Sequence, residues 1–232
     1  MDQTIPSALA DPLEGTAWSA PSTVAGFRQS APNAFLMQFA AAELRPGGVQ
    51  LLDVGCGAGR NAVPLARAGW DVLGVDLSLP MLAAAAERTR CEHLAGLHLA
   101  LAPMDVIPAR TGAFDLIVAH GIWNLARSGA EFRRAIKEAA RVAKSGAALF
   151  VFTFSRNTLP AEATPVPGES FVFTEFSGQP QCFLTARELI SELDGAGFSI
   201  DPDFELMEHN LPKPGLVNAV KVPVIYEGIF RR

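Results

Sequence analysis

Residues 49–61 read VQLLDVGCGAGRN, and the reading of this stretch decides the fold. Residues 49–54 are a short apolar run with β-branched members, the pattern of a buried strand. Gly55, Gly57 and Gly59 follow at once. Glycines so placed let the backbone approach a bound group where a Cβ would collide. After Arg60 a helix is expected over 61–68. Strand, glycine turn and helix form the first half of a nucleotide-binding unit. The spacing is Gly-x-Gly-x-Gly, tighter than the Gly-x-Gly-x-x-Gly of dinucleotide sites, and Asp53 precedes it. A carboxylate there repels a pyrophosphate. These residues ask for a nucleoside-like ligand with no phosphate required.

Working outward, 71–75 is a second strand that ends in Asp76, 17 residues beyond Gly59. An acid at that strand end can take both hydroxyls of a ribose. The plainer reading is a helix cap, with Asp76 or Ser78 opening a helix over 79–89. Residues 97–101 are a third strand and 114–119 a fourth. The chain has 232 residues, 49% of them hydrophobic, which fits one α/β domain. Its formal net charge of −5 argues against nucleic acid as a partner. Cys56, Cys91 and Cys182 are odd in number and far apart. They offer neither a disulfide framework nor a metal ligand set, so no metal and a cytoplasmic location are expected. No apolar run of membrane-spanning length and no basic leader is seen.

LLDVGCGAGR resembles the glycine-rich motif of the class I S-adenosylmethionine-dependent methyltransferases. Phe114-Asp115 before an apolar strand is similar to the same family. So is a helix over 130–144 leading to a fifth strand over 147–154, with Ser145 where the family usually has proline. The resemblance covers 46–156 closely and 185–232 in arrangement. It implies an α/β fold: a doubly wound, seven-stranded Rossmann-like sheet, helices on both faces, the last strand antiparallel. It also implies S-adenosyl-L-methionine as cofactor. On that reading Asp53 sits near the methionine ammonium, and the main chain of Gly55, Cys56 and Gly57 receives the methionine and ribose portions. Asp76 binds the ribose and Leu77 lies against the adenine. Asp105 accepts from the adenine amino group, with Met104 beside the ring. Ala119 and His120 close the fourth strand at the methyl-transfer site. An Asn-Pro-Pro-Tyr sequence is absent there, which counts against methylation of exocyclic nitrogens.

His120 has two readings: a general base that removes a proton as the methyl arrives, or a group that holds the loop or the cofactor. Trp123 either shapes the acceptor pocket or packs the loop. Residues 1–45 are read as an N-terminal segment with a helix over 34–43. It packs on the sheet, or it caps the ligand with Trp18 and Phe27 lining the pocket. The domain proper is 46–232. Within it, 155–184 is rich in proline and glycine yet carries Phe171 and Phe173. It reads as a lid forming one wall of the acceptor pocket, or as a clasp on the sheet edge. Thr185 and Glu188 form a capping box for a helix over 186–196. A sixth strand over 198–207 is interrupted near Asp201-Pro202, and a seventh runs over 220–230. His209, in the loop between them, either approaches the active cleft or closes the hairpin.

The expected activity is methyl transfer to a small, partly apolar acceptor by in-line displacement, in a monomer or homodimer. The alternatives are an RNA or protein methyltransferase and a non-catalytic nucleoside-binding module. A basic cleft rim built by Arg60, Arg127 and the 133–144 helix would favour RNA or protein, and an acidic or apolar rim would speak against it.

Overall fold

The computed structural model describes residues 10–45, 49–211 and 222–232. Two helices come first, α1 (Pro21–Gln29) and α2 (Ala34–Glu43). The alternating half follows: β1 (Gln50–Val54), α3 (Ala62–Arg67), β2 (Asp71–Asp76), α4 (Leu79–Cys91), β3 (Leu97–Leu101) and β4 (Phe114–His120). Then come α5 (Gly129–Val142), β5 (Ala143–Phe154), a small pair β6 (Val172–Phe173) and β7 (Gln181–Cys182), and α6 (Ala186–Ala196). β8 (Ser199–Ile200), β9 (Met207–His209) and β10 (Ile225–Arg231) end the chain.

The main sheet runs β3-β2-β1-β4-β5-β10-β8, with β9 on β10. The first five strands are parallel, and β10 is antiparallel to β5. This is the doubly wound sheet that the sequence announces. The sixth strand is interrupted where expected, leaving β8 and β9, which pair with opposite ends of β10. The Asp201 amide still donates to the Ile229 carbonyl at 3.0 Å, and Pro202 has no amide with which to continue the ladder.

Side-chain alternation divides the core. Leu51, Leu116, Val118 and Phe150 face α2 and α3, while Leu52, Ile117, Leu149 and Val151 face α5 and α6. Both faces of β1 and β4 are buried, which is why these strands read as continuous apolar runs. The amphipathic α5 lays Phe132, Ile136 and Ala139 on the sheet and is capped by Ser128, which accepts from the Glu131 amide. Thr185 and Glu188 form the expected capping box on α6. The Lys-Ser-Gly stretch expected as a turn is instead a bulge at the start of β5. Phe114 pairs with Ala143 and Leu116 with Ala148, so the residues between loop out around Gly146 at φ +77°.

Pro46, Gly47 and Gly48, expected to end α2, lie outside the described residues, as do residues 1–9 of the N-terminal segment and residues 212–221 before the last strand. Among the described residues no helix is long and apolar enough to cross a membrane.

Candidate active site

The site grows from the carboxyl end of β1. Gly55 at φ +70° and Gly57 at φ +54° carry the chain round the turn. A Cβ on Gly55 would come within 2.7 Å of Ile122 Cδ1, so only glycine lets β1 and the β4 loop meet. The amides of Gly55 and Cys56 both donate to the Val75 carbonyl, at 2.8 and 3.0 Å. The turn is thereby strapped to β2. The Gly57 amide donates to Asp76 Oδ2 at 2.8 Å, and the Ser78 amide to Asp76 Oδ1 at 2.8 Å. These amides are therefore spent on the turn itself. What they leave for a ligand are the carbonyls and the close approach of the backbone.

A cavity of about 690 Å³ opens at this edge of the sheet. Of the residues singled out from sequence, Gly55, Gly57, Asp76, Leu77, Met104, Asp105 and His120 line it. So do Trp18 and Phe27 from the N-terminal segment, whose rings meet edge to face with centroids 6.0 Å apart. That segment is tied down over α4. Asp11 accepts from the Leu79 amide at 3.0 Å, Ser78 Oγ donates to the Trp18 carbonyl at 3.1 Å, and Arg28 pairs with Glu87 at 2.8 Å. α2 packs on the sheet, and the stretch before it walls the cavity.

Six expected site residues lie elsewhere. Asp53, Cys56 and Ala119 are buried in the sheet and the turn behind the cavity wall. Trp123 is fully buried edge-on to Phe132, because the short 3-10 turn Trp123–Leu125 points it into the α5 core. Phe171 packs on Phe132 as well, with ring centroids 5.4 Å apart. Phe173 joins Phe183 and Leu159 in a separate small core, under the Arg156 guanidinium at 4.8 Å. None of residues 155–184 lines the cavity, and of the two readings of this stretch its contacts are those of a clasp. The β6–β7 hairpin sits against α5 on the opposite face of the sheet from α2.

Electrostatics divide the cavity into two ends. At one end Asp76 is held by two amides, and burial raises its carboxyl above the usual range. Beyond it Asp105 pairs with Arg134 at 3.0 Å. Beneath the turn, Asp53 is pushed up to about 7 by burial and by the nearby Asp76 charge, and its Oδ2 has no hydrogen-bond partner. Asp76 in the cavity wall suits a ligand with hydroxyls, and the unpartnered Asp53 carboxyl behind that wall suits one that also carries a positive charge. The residues present fit S-adenosylmethionine, which brings a ribose diol, an ammonium and a sulfonium.

At the other end His120 lies flat on Phe152, ring centroids 4.1 Å apart. Burial, and then the Arg60 charge, lower its pKa to about 4. Its Nε2 is 3.5 Å from Asn33 Nδ2. Asn33 is a junction between α2, β4 and β10. Its Oδ1 caps α2 by accepting from Leu36 at 2.8 Å, and its Nδ2 donates to Glu227 Oε1 at 2.7 Å. Glu227 in turn meets His209 Nε2 at 3.0 Å. Glu227 itself could have been found, since an acid inside the apolar run IYEGIF has to be buried with partners.

Residues 52–151 match the family model of a methyltransferase domain. The chain is 31% identical over 127 residues to a ubiquinone biosynthesis O-methyltransferase of Methylococcus capsulatus, covering 55% of this chain and 52% of that one. It is 36% identical over 112 residues to a malonyl-[acyl-carrier protein] O-methyltransferase of Salmonella typhimurium, covering 47% and 41%. The chain spans about half the length of these curated relatives. Among solved structures it is similar to the [4+2]-cyclase SpnF, with 31% identity and a TM-score of 0.59 over 74% of this chain and 60% of that one.

Proposed function

With this chain a class I S-adenosylmethionine-dependent methyltransferase in motif and fold, we propose that it moves a methyl group from S-adenosylmethionine to an oxygen of a small, partly apolar acceptor. The observation that carries this is the cavity. One volume of about 690 Å³ joins the Asp76 end to the His120 end, room for a nucleoside cofactor and a small molecule beside it. The relatives' names supply the oxygen.

The bound cofactor supplies an activated methyl on a positively charged sulfur. The chain's own work is alignment and exclusion of water. Asp76 accepts from the ribose hydroxyls, Leu77 and Met104 flank the adenine, and Asp105 takes its amino group. Asp53, through the turn it underlies, offsets the ammonium. Trp18, Phe27 and Ile122 close the apolar side. Among the described residues no cluster suited to a metal occurs, and the reading needs none. Three free thiols accord with a cytoplasmic enzyme.

His120 is a poor general base at a pKa near 4, and its Nε2 faces Asn33. We assign it to holding the acceptor end of the cavity. An RNA or protein acceptor is disfavoured, because rim arginines alternate with acids, as in Arg134 with Asp105. The likeness to SpnF, a [4+2]-cyclase, favours one second reading: a cyclisation in this cavity, a reaction that consumes no methyl. Incubation with methyl-labelled S-adenosylmethionine and a panel of phenols, enols and carboxylic acids separates the two. Label in an acceptor supports methyl transfer. Tight cofactor binding with no label in any acceptor supports the second reading.

A further inference from the structure

Arg60 is a half-buried cation whose needs the cavity wall does not meet. It follows the glycine turn directly and lines the cavity beside His120. Its Nε donates to the Ala31 carbonyl at 2.5 Å, which fixes the guanidinium against the connector between α1 and α2. Among the described residues no carboxylate pairs with it, and desolvation alone lowers its pKa. A partly desolvated guanidinium with free N–H groups calls for an anion.

The wall's own acids are already engaged. Asp76 takes the Gly57 and Ser78 amides, Asp105 takes Arg134, and Glu131 takes the Arg127 amide. Nor does this end hold a strong base. The direction of the Asn33 amide is fixed from both sides, because its Oδ1 caps Leu36 and its Nδ2 serves Glu227. An N–H therefore points at His120 Nε2, the nitrogen a base would use. A neutral hydroxyl entering here finds nothing to take its proton. An oxygen that arrives already ionised needs no base and finds a counter-charge.

We propose that Arg60 is an oxyanion subsite, receiving a carboxylate or an ionised acidic hydroxyl at the His120 end of the cavity. The proposal rests on the cofactor reading above. The anion has two sources, the methionine carboxylate of the cofactor and the acceptor itself. When it is the acceptor's, the oxygen lone pair forms the new bond to the methyl carbon. The carbon–sulfur bond breaks with its electrons going to sulfur, and no proton has to leave.

The test is calorimetric, on the full chain and on Arg60→Gln and Arg60→Lys. Each is titrated with S-adenosylhomocysteine and with 5′-methylthioadenosine, which lacks the carboxylate. Each S-adenosylhomocysteine complex is then titrated with benzoate and with benzamide. A tenfold or greater loss of S-adenosylhomocysteine affinity in Arg60→Gln, with methylthioadenosine within twofold, places the cofactor's carboxylate on Arg60. Unchanged nucleoside binding, with a tenfold benzoate preference present in the native chain and lost in Arg60→Gln, places the acceptor's anion there. Arg60→Lys should retain part of either effect, since it keeps the charge but not the fork. Equal loss of both nucleosides, or no change with any probe, overturns the proposal. Failure of the native chain to bind S-adenosylhomocysteine would sink the cofactor reading instead.

Discussion

Residues 11–43 and residues 155–184 both lie outside the glycine-rich motif, and both bring aromatic side chains. The first stretch walls the cavity with Trp18 and Phe27, while the second contributes nothing to it. The second builds a core of its own from Leu159, Phe173 and Phe183, and Arg156 donates to the carbonyls of Leu159 and Ala163 to hold its loop. It is anchored through Glu169 on the Gly129 amide at 2.9 Å. Aromatic content does not tell a pocket wall from a clasp. What decides is the surface each stretch meets. Residues 17–29 meet α4 at the ligand edge, whereas the β6–β7 hairpin meets α5.

That contrast can be broken by mutation, and the largest effect is expected in the clasp. Phe183 is fully buried, so Phe183→Ala should cost about 3–5 kcal/mol of stability by urea unfolding. Its S-adenosylhomocysteine affinity, measured by calorimetry on folded protein, should stay within twofold. A fall beyond that would join the clasp to the site.

The seam where α2 meets the sheet should show a pH effect of about 3 kcal/mol at most. His120 titrates near 4 in the fold and near 6.5 once unfolded, so between those values the unfolded chain binds more protons. Stability from this group therefore falls as pH drops from 6.5 to 4. Asp53 runs the other way: with its folded pKa near 7, the stability it confers falls as pH rises from about 4 to 7. The comparison should thus be between the native chain and His120→Phe at each pH. The native chain should lose more on acidification, and equal slopes would contradict the assignment.

Asn33→Ala removes a helix cap and leaves Glu227 short of a partner, which should cost about 2 kcal/mol in the same unfolding assay. Glu227→Gln keeps a hydrogen-bonding side chain and should cost less. The smallest effect belongs to the wall. Phe27→Ala should weaken S-adenosylhomocysteine roughly tenfold, about 1.4 kcal/mol, with a minor change in melting temperature. An unchanged affinity would reduce residues 11–43 to a second clasp.

The parallel half of the sheet was legible because its signals are local. Gly55, Gly57 and Gly59 need positive φ, Asp76 ends its strand, and Thr185 and Glu188 cap a helix within four residues. Seven of the expected site residues share the cavity for that reason. Trp123, Phe171 and Phe173 were misplaced because an aromatic in an irregular stretch looks the same whether it faces a ligand or a helix. The pairing of Asn33 with Glu227 was missed because the two are 194 positions apart, and only the closed sheet brings α2 against β10. The split of the sixth strand was legible, because Pro202 carries no amide for a ladder.

The measurement that bears most directly on the central claim is calorimetric titration of the native chain and of Asp76→Asn with S-adenosylmethionine and, separately, with NAD. The account predicts that S-adenosylmethionine binds the native chain and NAD does not. It further predicts that the variant loses roughly 100-fold in affinity, since a carboxylate accepting two ribose hydroxyls is worth about 3 kcal/mol. NAD binding, or S-adenosylmethionine affinity indifferent to Asp76, would contradict it.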